Sequence, residues 1–238
     1  MRTCHNRLIA DLHVVDLGLV EYREALALQH RFADARAADA IPDTLLLVEH
    51  PLCYTRGRRT PPGELTLPEQ WYRDRGIDII DVDRGGKVTH HAPGQLVGYP
   101  IMRVQRARDH VARMERALVK ALADEGVEAR GRMDEGVAFT GVWVGDKKIA
   151  SIGVHVSRGV TTHGFALNVD NDLEPWSWIV PCGLPDVITT SVAEVTGRSG
   201  MLRCLRKRVA WRFAQECGLR QRLVSPARAL PDRVPAGA

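Results

Sequence analysis

Residues 137–170 read VAFTGVWVGDKKIASIGVHVSRGVTTHGFALNVD, and apolar residues recur there with a period of two. The pattern is interrupted at Gly145-Asp146 and at Arg158-Gly159. Alternation of this kind marks strands, and short glycine-containing pairs mark tight turns. The segment therefore predicts three consecutive antiparallel strands. In the middle one, side chains alternate between two faces. Lys148, Ala150, Ile152, Val154 and Val156 fall on one face, and Lys147, Ile149, Ser151, Gly153 and His155 on the other. The first face is apolar apart from Lys148. A lysine at the rim of a core is a general-base candidate, because desolvation disfavours its charged form. It can equally snorkel out at the strand end beside the Gly-Asp turn. In the following strand Thr161, His163, Phe165 and Leu167 share a face. Thr162, Gly164, Ala166 and Asn168 share the other. Three of those last four are small, which leaves room for a ligand or a close backbone approach. His163 taken alone reads most simply as a structural histidine.

Outward from this segment, strands and helices mix without strict alternation. HVVDLGLV reads as a strand and EYREALALQHRFADARAAD as a helix. DTLLLVEHP is a continuous apolar run ended by Pro51, suited to a buried strand. TPPGELTLPEQW is a loop entering a short helix, and GIDIIDVD is a strand. RGGKVTHHAPGQLVGYPIMRV reads as strand, loop, strand. Residues 108–125 form a second amphipathic helix with Gly126 placed to end it. SVAE, Ser191 to Glu194, is a capping box opening another helix, and residues 201–217 form the last long one. The expected fold is α/β in the broad sense: one mixed sheet, partly antiparallel, flanked by helices. A single domain spans residues 1–220, and a tail over 221–238, rich in Pro and Ala, is expected to be poorly ordered.

The chain has 238 residues, 45% of them apolar and 26% charged, as an ordinary globular protein has. The first 20 residues carry charges throughout, without a secretory apolar region, and no apolar run reaches the roughly 20 residues of a membrane span. A cytoplasmic protein with no membrane role is expected. Its five cysteines have no CxxC spacing, which argues against a disulfide scaffold or a structural zinc site, and no metal is expected. A net charge of +4 is too weak to imply nucleic acid. Arginines nevertheless cluster at Arg103, Arg106, Arg108, Arg113 and Arg116, and basic residues at Arg203, Arg206, Lys207, Arg208 and Arg212. They form either solvated helix faces or a surface for an acidic partner.

Chemistry concentrates in three places. The loop DRGGKVTHHAPGQLVGYP, Asp83 to Pro100, joins flexible glycine pairs to the donors Arg84, His90, His91 and Gln95. It reads as tight turns or as a ligand cradle, and no Walker pattern is present. The segment YTRGRR, Tyr54 to Arg59, reads as an arginine-rich loop. In WSWIVPCGLPD, Trp176 to Asp186, Pro181 and Gly183 set Cys182 in a turn. A free cysteine is commonly a packed apolar group. A turn can also expose the sulfur and aim backbone N–H groups at an oxyanion, provided a base lies within reach. Lys148, His91 and His163 are the candidates.

Taken together, DRGGKVTHHAPGQLVGYP, KKIASIGVHVSRGVTTHGFALNVDNDLEPW and IVPCG resemble the octanoyltransferases, or lipoyl(octanoyl) transferases, of lipoate biosynthesis. The likeness runs from about Leu45 to about Gly197. It implies the catalytic-domain fold of biotin and lipoate protein ligases and an acyltransferase without cofactor. The implied reaction moves octanoyl from octanoyl-acyl carrier protein to a specific lysine of lipoyl domains, those of 2-oxoacid dehydrogenase E2 subunits and the glycine cleavage H protein. By motif position the resemblance makes Cys182 the acyl-carrying nucleophile and Lys148 its base. It assigns substrate binding to Arg84, Gly85, Gly86, Lys87, His91, Gly94, Gln95, Ser151, Ile152, Gly153, His163, Gly164, Phe165 and Ala166. A monomer is expected. One departure stands out. The family loop reads His-Gly-Pro-Gly-Gln-Leu, and here Ala92 replaces the first glycine, which costs energy if that position needs a positive φ. Three other readings remain: an ATP-dependent lipoate or biotin protein ligase on the same fold, an octanoyl amidotransferase, and a silent binding module for acyl carrier protein.

Overall fold

The computed structural model describes residues 9–180 and 187–230. In chain order the elements are β1 (Asp11–Leu19), α1 (Tyr22–Ala37), β2 (Thr44–Glu49), β3 (Cys53–Arg56), α2 (Glu69–Arg73), β4 (Asp78–Asp81), β5 (Val88–His91) and β6 (Gln95–Ile101). Then follow α3 (Ala107–Ala123), β7 (Arg130–Gly131), β8 (Gly141–Val144), β9 (Lys147–Ser157), β10 (Val160–Asn168), α4 (Val192–Thr196), α5 (Leu202–Cys217), β11 (Arg220–Leu223) and α6 (Pro226–Ala229). Eight strands form one mixed sheet in the order β11-β1-β2-β6-β10-β9-β8-β7. Its β11-β1-β2 side is parallel, and the rest is antiparallel. A second sheet, β4-β3-β5, stands apart from it. YTRGRR is therefore not a loop throughout. Cys53–Arg56 is the central strand of the small sheet, and Arg56 is held by Asp81 and Glu69.

The alternation of apolar residues explains the layering. In β2, Leu45 and Leu47 face a core shared with α3 and α5, while Leu46 and Val48 face Phe32 and Ala25 of α1. Helix α3 buries His110, Met114, Leu118 and Leu122 at helical spacing, and α5 buries Leu205, Val209 and Phe213. Every residue of β10 is buried, as a central strand covered on both faces requires. Ser191 caps α4 by accepting the Glu194 N–H.

Three sequence expectations need correction. The domain does not end at residue 220: β11 pairs with β1 in parallel, and Ala229 of α6 is buried. The remainder of the expected tail, residues 231–238, lies outside the described residues. The alternation in β10 fails at His163, whose φ is 58°. This left-handed residue turns its ring away from the Phe165 and Leu167 face and towards Tyr22 and Tyr99, while its backbone N–H donates to Gln29 Oε1. The alternation in β9 fails beside Lys148. Val142 pairs with Ala150 but Trp143 pairs with Lys148, so Ile149 is an extra residue, a β-bulge. Ile149 and Ala150 both enter the core, and Lys148 shares the face of Trp143 instead of that of Ala150.

Phe165 and Gly98 are direct cross-strand partners, and the phenyl ring lies over the glycine. A Cβ at position 98 would sit 2.1 Å from the ring. Gly98→Ala is expected to lower the unfolding free energy by about 1–3 kcal/mol through overpacking. Urea denaturation with an unchanged midpoint would show that the ring has room to move.

Candidate active site

A cavity of about 570 Å³ opens where the loop following β4 meets β9 and β10. Arg84, Gly85, Gly86, Lys87, His91, Lys148, Ser151, Ile152, Gly153, His163, Gly164, Phe165 and Ala166 all line it. Gly94 and Gln95, expected to bind substrate, do not. They stand behind the wall. Residues 92–95 form a turn in which the Gln95 N–H donates to the Ala92 carbonyl, and Gly94 has φ +85°. A Cβ at Gly94 would sit 2.8 Å from the Asn171 nitrogen. Ala92 is not among the described non-glycine residues with positive φ, so alanine there carries no left-handed strain.

The loop is held by its own arginine. Arg84 is buried and donates to the carbonyls of Gly85, Lys87 and Thr55 and to the Thr55 hydroxyl. The Gly85 N–H donates to the Val154 carbonyl at 2.9 Å. Gly153 is required beneath it, since a Cβ there would meet the Gly85 oxygen at 2.7 Å. Gly164 likewise serves a close backbone approach, with a Cβ position 2.1 Å from the Gly98 oxygen. Lys87 pairs with the buried Glu64 at 2.9 Å.

Lys148 is 3% exposed, whereas Lys147 lies in solvent. Its Nζ donates to the Thr140 carbonyl at 2.9 Å and lies 5.3 Å from the centre of the Trp143 ring. Its backbone is bracketed by residues that follow Cys182 in the sequence: the Lys148 N–H donates to the Ile188 carbonyl, and the Thr190 N–H donates to the Lys148 carbonyl. Before Cys182, the Val180 N–H donates to the Glu64 carbonyl and Ile179 pairs with Leu65. Cys182 itself lies outside the described residues. Among the described cysteines none lines the cavity, and burial raises the thiols of Cys53 and Cys217 to about 12 and about 11.

The histidines carry an ordered set of hydrogen bonds. The Gln95 amide donates to the His90 carbonyl and to Asn168 Oδ1, so its oxygen accepts from His91 Nδ1 at 2.9 Å. His91 therefore presents a bare Nε2. Burial drives its protonation well below the ordinary imidazole range. Asn168 continues the chain by donating to the Thr190 carbonyl, next to the Lys148 pairing. On the far wall the His50 Nδ1–H donates to Val20, so the Tyr99 hydroxyl donates to His50 Nε2 at 2.7 Å. Burial lowers His50 to about 4. His163 Nε2 donates to Asp83 at 2.7 Å; that bond, first among several contributions, holds the Asp83 carboxyl down at about 2. Burial lowers His163 despite its carboxylate partner.

Sequence reasoning missed Tyr22, Tyr99 and the wall formed by residues 133–140. These reach the cavity from α1, β6 and two 3-10 turns; Tyr22 and residues 133–140 lie outside the motifs, and Tyr99 closes the Asp83–Pro100 motif without being singled out by it. Trp176 and Trp178, which could have walled the site, pack instead with Tyr54, Tyr72 and Trp71 beneath the small sheet. Among the described residues no group of His, Cys, Asp or Glu has the arrangement of a metal site, and no helix is long and apolar enough to cross a membrane.

The model of the lipoyl protein ligase A/B catalytic domain matches residues 21–213. An octanoyltransferase of Mycobacterium ulcerans is 46% identical over 212 residues, 84% of this chain and 86% of that one. Another, from Dictyoglomus turgidum, is 40% identical over 199 residues, 84% of each chain. The chain belongs to the octanoyltransferase family. It is an acyltransferase on the catalytic fold of lipoate and biotin protein ligases. A lipoate-protein ligase A bound with ATP superposes with a TM-score of 0.72 at 16% identity, covering 93% of this chain and 91% of that one. The biotin protein ligase of Aquifex aeolicus in complex with biotin and ATP gives 0.54 at 13% identity, covering 87% and 69%. At those identities the likeness is one of fold.

His50 and His91 are neutral when folded and take up a proton freely when unfolded. Their contribution to stability is therefore complete above about pH 6.5 and is lost as pH falls below it. Histidine ¹⁵N spectra should show both rings neutral from pH 8 to pH 5, with Nδ1 protonated and Nε2 bare. Titration of either ring near pH 6.5 would contradict the buried arrangement.

Proposed function

We propose that the enzyme transfers an octanoyl group from octanoyl-acyl carrier protein through a Cys182 thioester to a lysine of lipoyl domains. The acceptors in this reading are 2-oxoacid dehydrogenase E2 subunits and the glycine cleavage H protein. The observation that carries it is the placement of Lys148. A buried lysine opens on the cavity, and its own backbone is hydrogen-bonded to Ile188 and Thr190, which follow Cys182 in the sequence. Glu64 and Leu65 pair with Val180 and Ile179, which precede it. In this reading Cys182 supplies the nucleophile and Lys148 its base.

In the first half-reaction Lys148 Nζ takes the Cys182 thiol proton as Sγ attacks the carrier thioester. The carbon–sulfur bond to the carrier breaks, and the Lys148 ammonium returns the proton to the departing thiolate. In the second, the neutral amine of the acceptor lysine attacks the Cys182 thioester. Its proton passes to Lys148, the Cys182 sulfur leaves, and that proton returns to sulfur. One thioester and one amine become one amide and one thiol, without ATP. His91 Nε2, a bare acceptor on the cavity wall, suits an N–H of the incoming amine or of the pantetheine arm. The apolar residues Val97, Val111, Ile152 and Phe165 suit an acyl chain, each methylene adding about 0.8 kcal/mol on burial. Arg59 and Arg108 line the same cavity with exposed side chains and suit an acidic carrier.

Intact mass of enzyme incubated with octanoyl-carrier protein should rise by one octanoyl group, and Cys182→Ala should abolish the gain. Turnover that needs ATP and survives Cys182→Ala would establish the ligase reading instead. Donation only from an octanoylated H protein would establish the amidotransferase. Lys148→Ala should slow acylation about 10²- to 10⁴-fold, as loss of a general base does. Lys147→Ala should leave the rate within about twofold, as suits a solvent-exposed side chain; equal losses would remove Lys148 from its role.

A further inference from the structure

Glu115 on α3 is 7% exposed, in a place no sequence motif marks; burial raises its carboxyl above the usual carboxylate range, against the lowering by the Gly141 and Met133 backbone N–H groups. Its Oε1 accepts the Gly141 N–H at 2.9 Å. The carbonyl of that same peptide group, Thr140 C=O, accepts Lys148 Nζ at 2.9 Å. The two ends of a trans peptide point in opposite directions, so the carboxylate and the ammonium flank one amide from its two sides. We propose that Glu115 is a positioning residue for Lys148, acting through the Thr140–Gly141 peptide. This rests on the assignment of Lys148 as the proton carrier.

The surroundings are shaped for this pair. Gly131 passes over the carboxylate where a Cβ would lie 2.5 Å from Glu115 Oε2. Gly141 has φ +137°, and a Cβ there would lie 2.7 Å from Lys148 Cε and 2.4 Å from the Ala150 oxygen. Two glycines therefore clear the space on either side of the relay. A neutral amide would anchor Gly141 as well as a carboxylate does, at far less desolvation cost. A charge at the N–H end polarises the peptide, enriches the carbonyl oxygen and strengthens its hold on the ammonium. Lys148 must take and return a proton in each half-reaction. Glu115 fixes where Nζ sits and favours its protonated form. The other charged groups around the pair are Asp134 on the wall turn and Arg132, which lies over the Phe139 and Trp143 rings and pairs with Glu135.

The test compares the enzyme with Glu115→Gln, which keeps an oxygen for Gly141 and removes the charge. Lysine ¹⁵N spectra should show the Lys148 titration midpoint moved down by about half a unit to one unit. The pH profile of Cys182 acylation should move its acid limb down by the same amount. A variant with lowered stability or rate but unmoved midpoints would show Glu115 to be a structural anchor only, and would overturn the proposal. If Glu115→Gln does not fold, ¹³C-carboxyl spectra of the unaltered enzyme decide. The Glu115 carboxyl is expected to be ionised between pH 6 and pH 8, and a protonated Glu115 throughout that range overturns the relay. The spectra do not depend on acylation. Absence of an octanoyl-Cys182 enzyme would therefore sink the proposed reaction while leaving the Glu115–Lys148 coupling separately decided.

Discussion

Burying the ammonium-bearing side chain of Lys148 is the constraint around which the rest of the site is arranged. Taking a charged group out of water is expensive unless fixed dipoles replace the solvent. Here the Thr140 carbonyl and the Trp143 ring supply part of that replacement. The Ile149 bulge is what makes the arrangement possible. One extra residue in β9 rotates Lys148 off the core face and onto the face of Trp143. Without it, strict alternation would drive the lysine into the cluster that holds Ala150 and Leu167.

The cavity follows from the meeting of two sheets. The small sheet projects its following loop against β9, and contact is by backbone, with Gly85 bonded to Val154 and Gly153 stripped of a side chain beneath it. Arg84 spends its donors on the carbonyls of its own loop and of Thr55, and so holds the glycine pair in one conformation. His163 closes the arrangement from the other side. Its left-handed backbone places its ring between Tyr22 and Asp83, joining α1, β10 and the loop. Strain of this kind at a cavity wall persists only where the surrounding contacts over-determine it.

Charge on the outer surface serves the fold more than the arginine clusters suggested. Arg206 pairs with Asp16 and Glu49, Arg208 with Glu125, and Arg212 with Asp124. Arg116 and Lys120 of α3 share Glu216 of α5. These pairs join helices to one another and to the sheet, and each exposed one contributes little alone. The exposed basic residues at the cavity, among the described residues, are Arg59 and Arg108, one from the loop after the small sheet's central strand and one from the start of α3.

The amino-acid pattern by itself determined the antiparallel run from Gly141 to Asn168, the buried strand at Leu45–Val48, the amphipathic helices and the glycine loop, because each rests on local periodicity or turn chemistry. The family resemblance of its motifs also grouped Lys148, Arg84, His91 and Phe165, and all four line one cavity. Only the tertiary structure decided which way Lys148 and His163 face, because a bulge and a positive φ reset the period and leave no trace in alternation. It alone brought Tyr22 and the wall at 133–140 to the cavity and set Glu115 against the peptide that holds Lys148. Those residues come from distant segments whose apolar or charged character is accounted for locally by packing. Proximity across the sheet, set by register and strand order, is a property no single stretch of sequence carries.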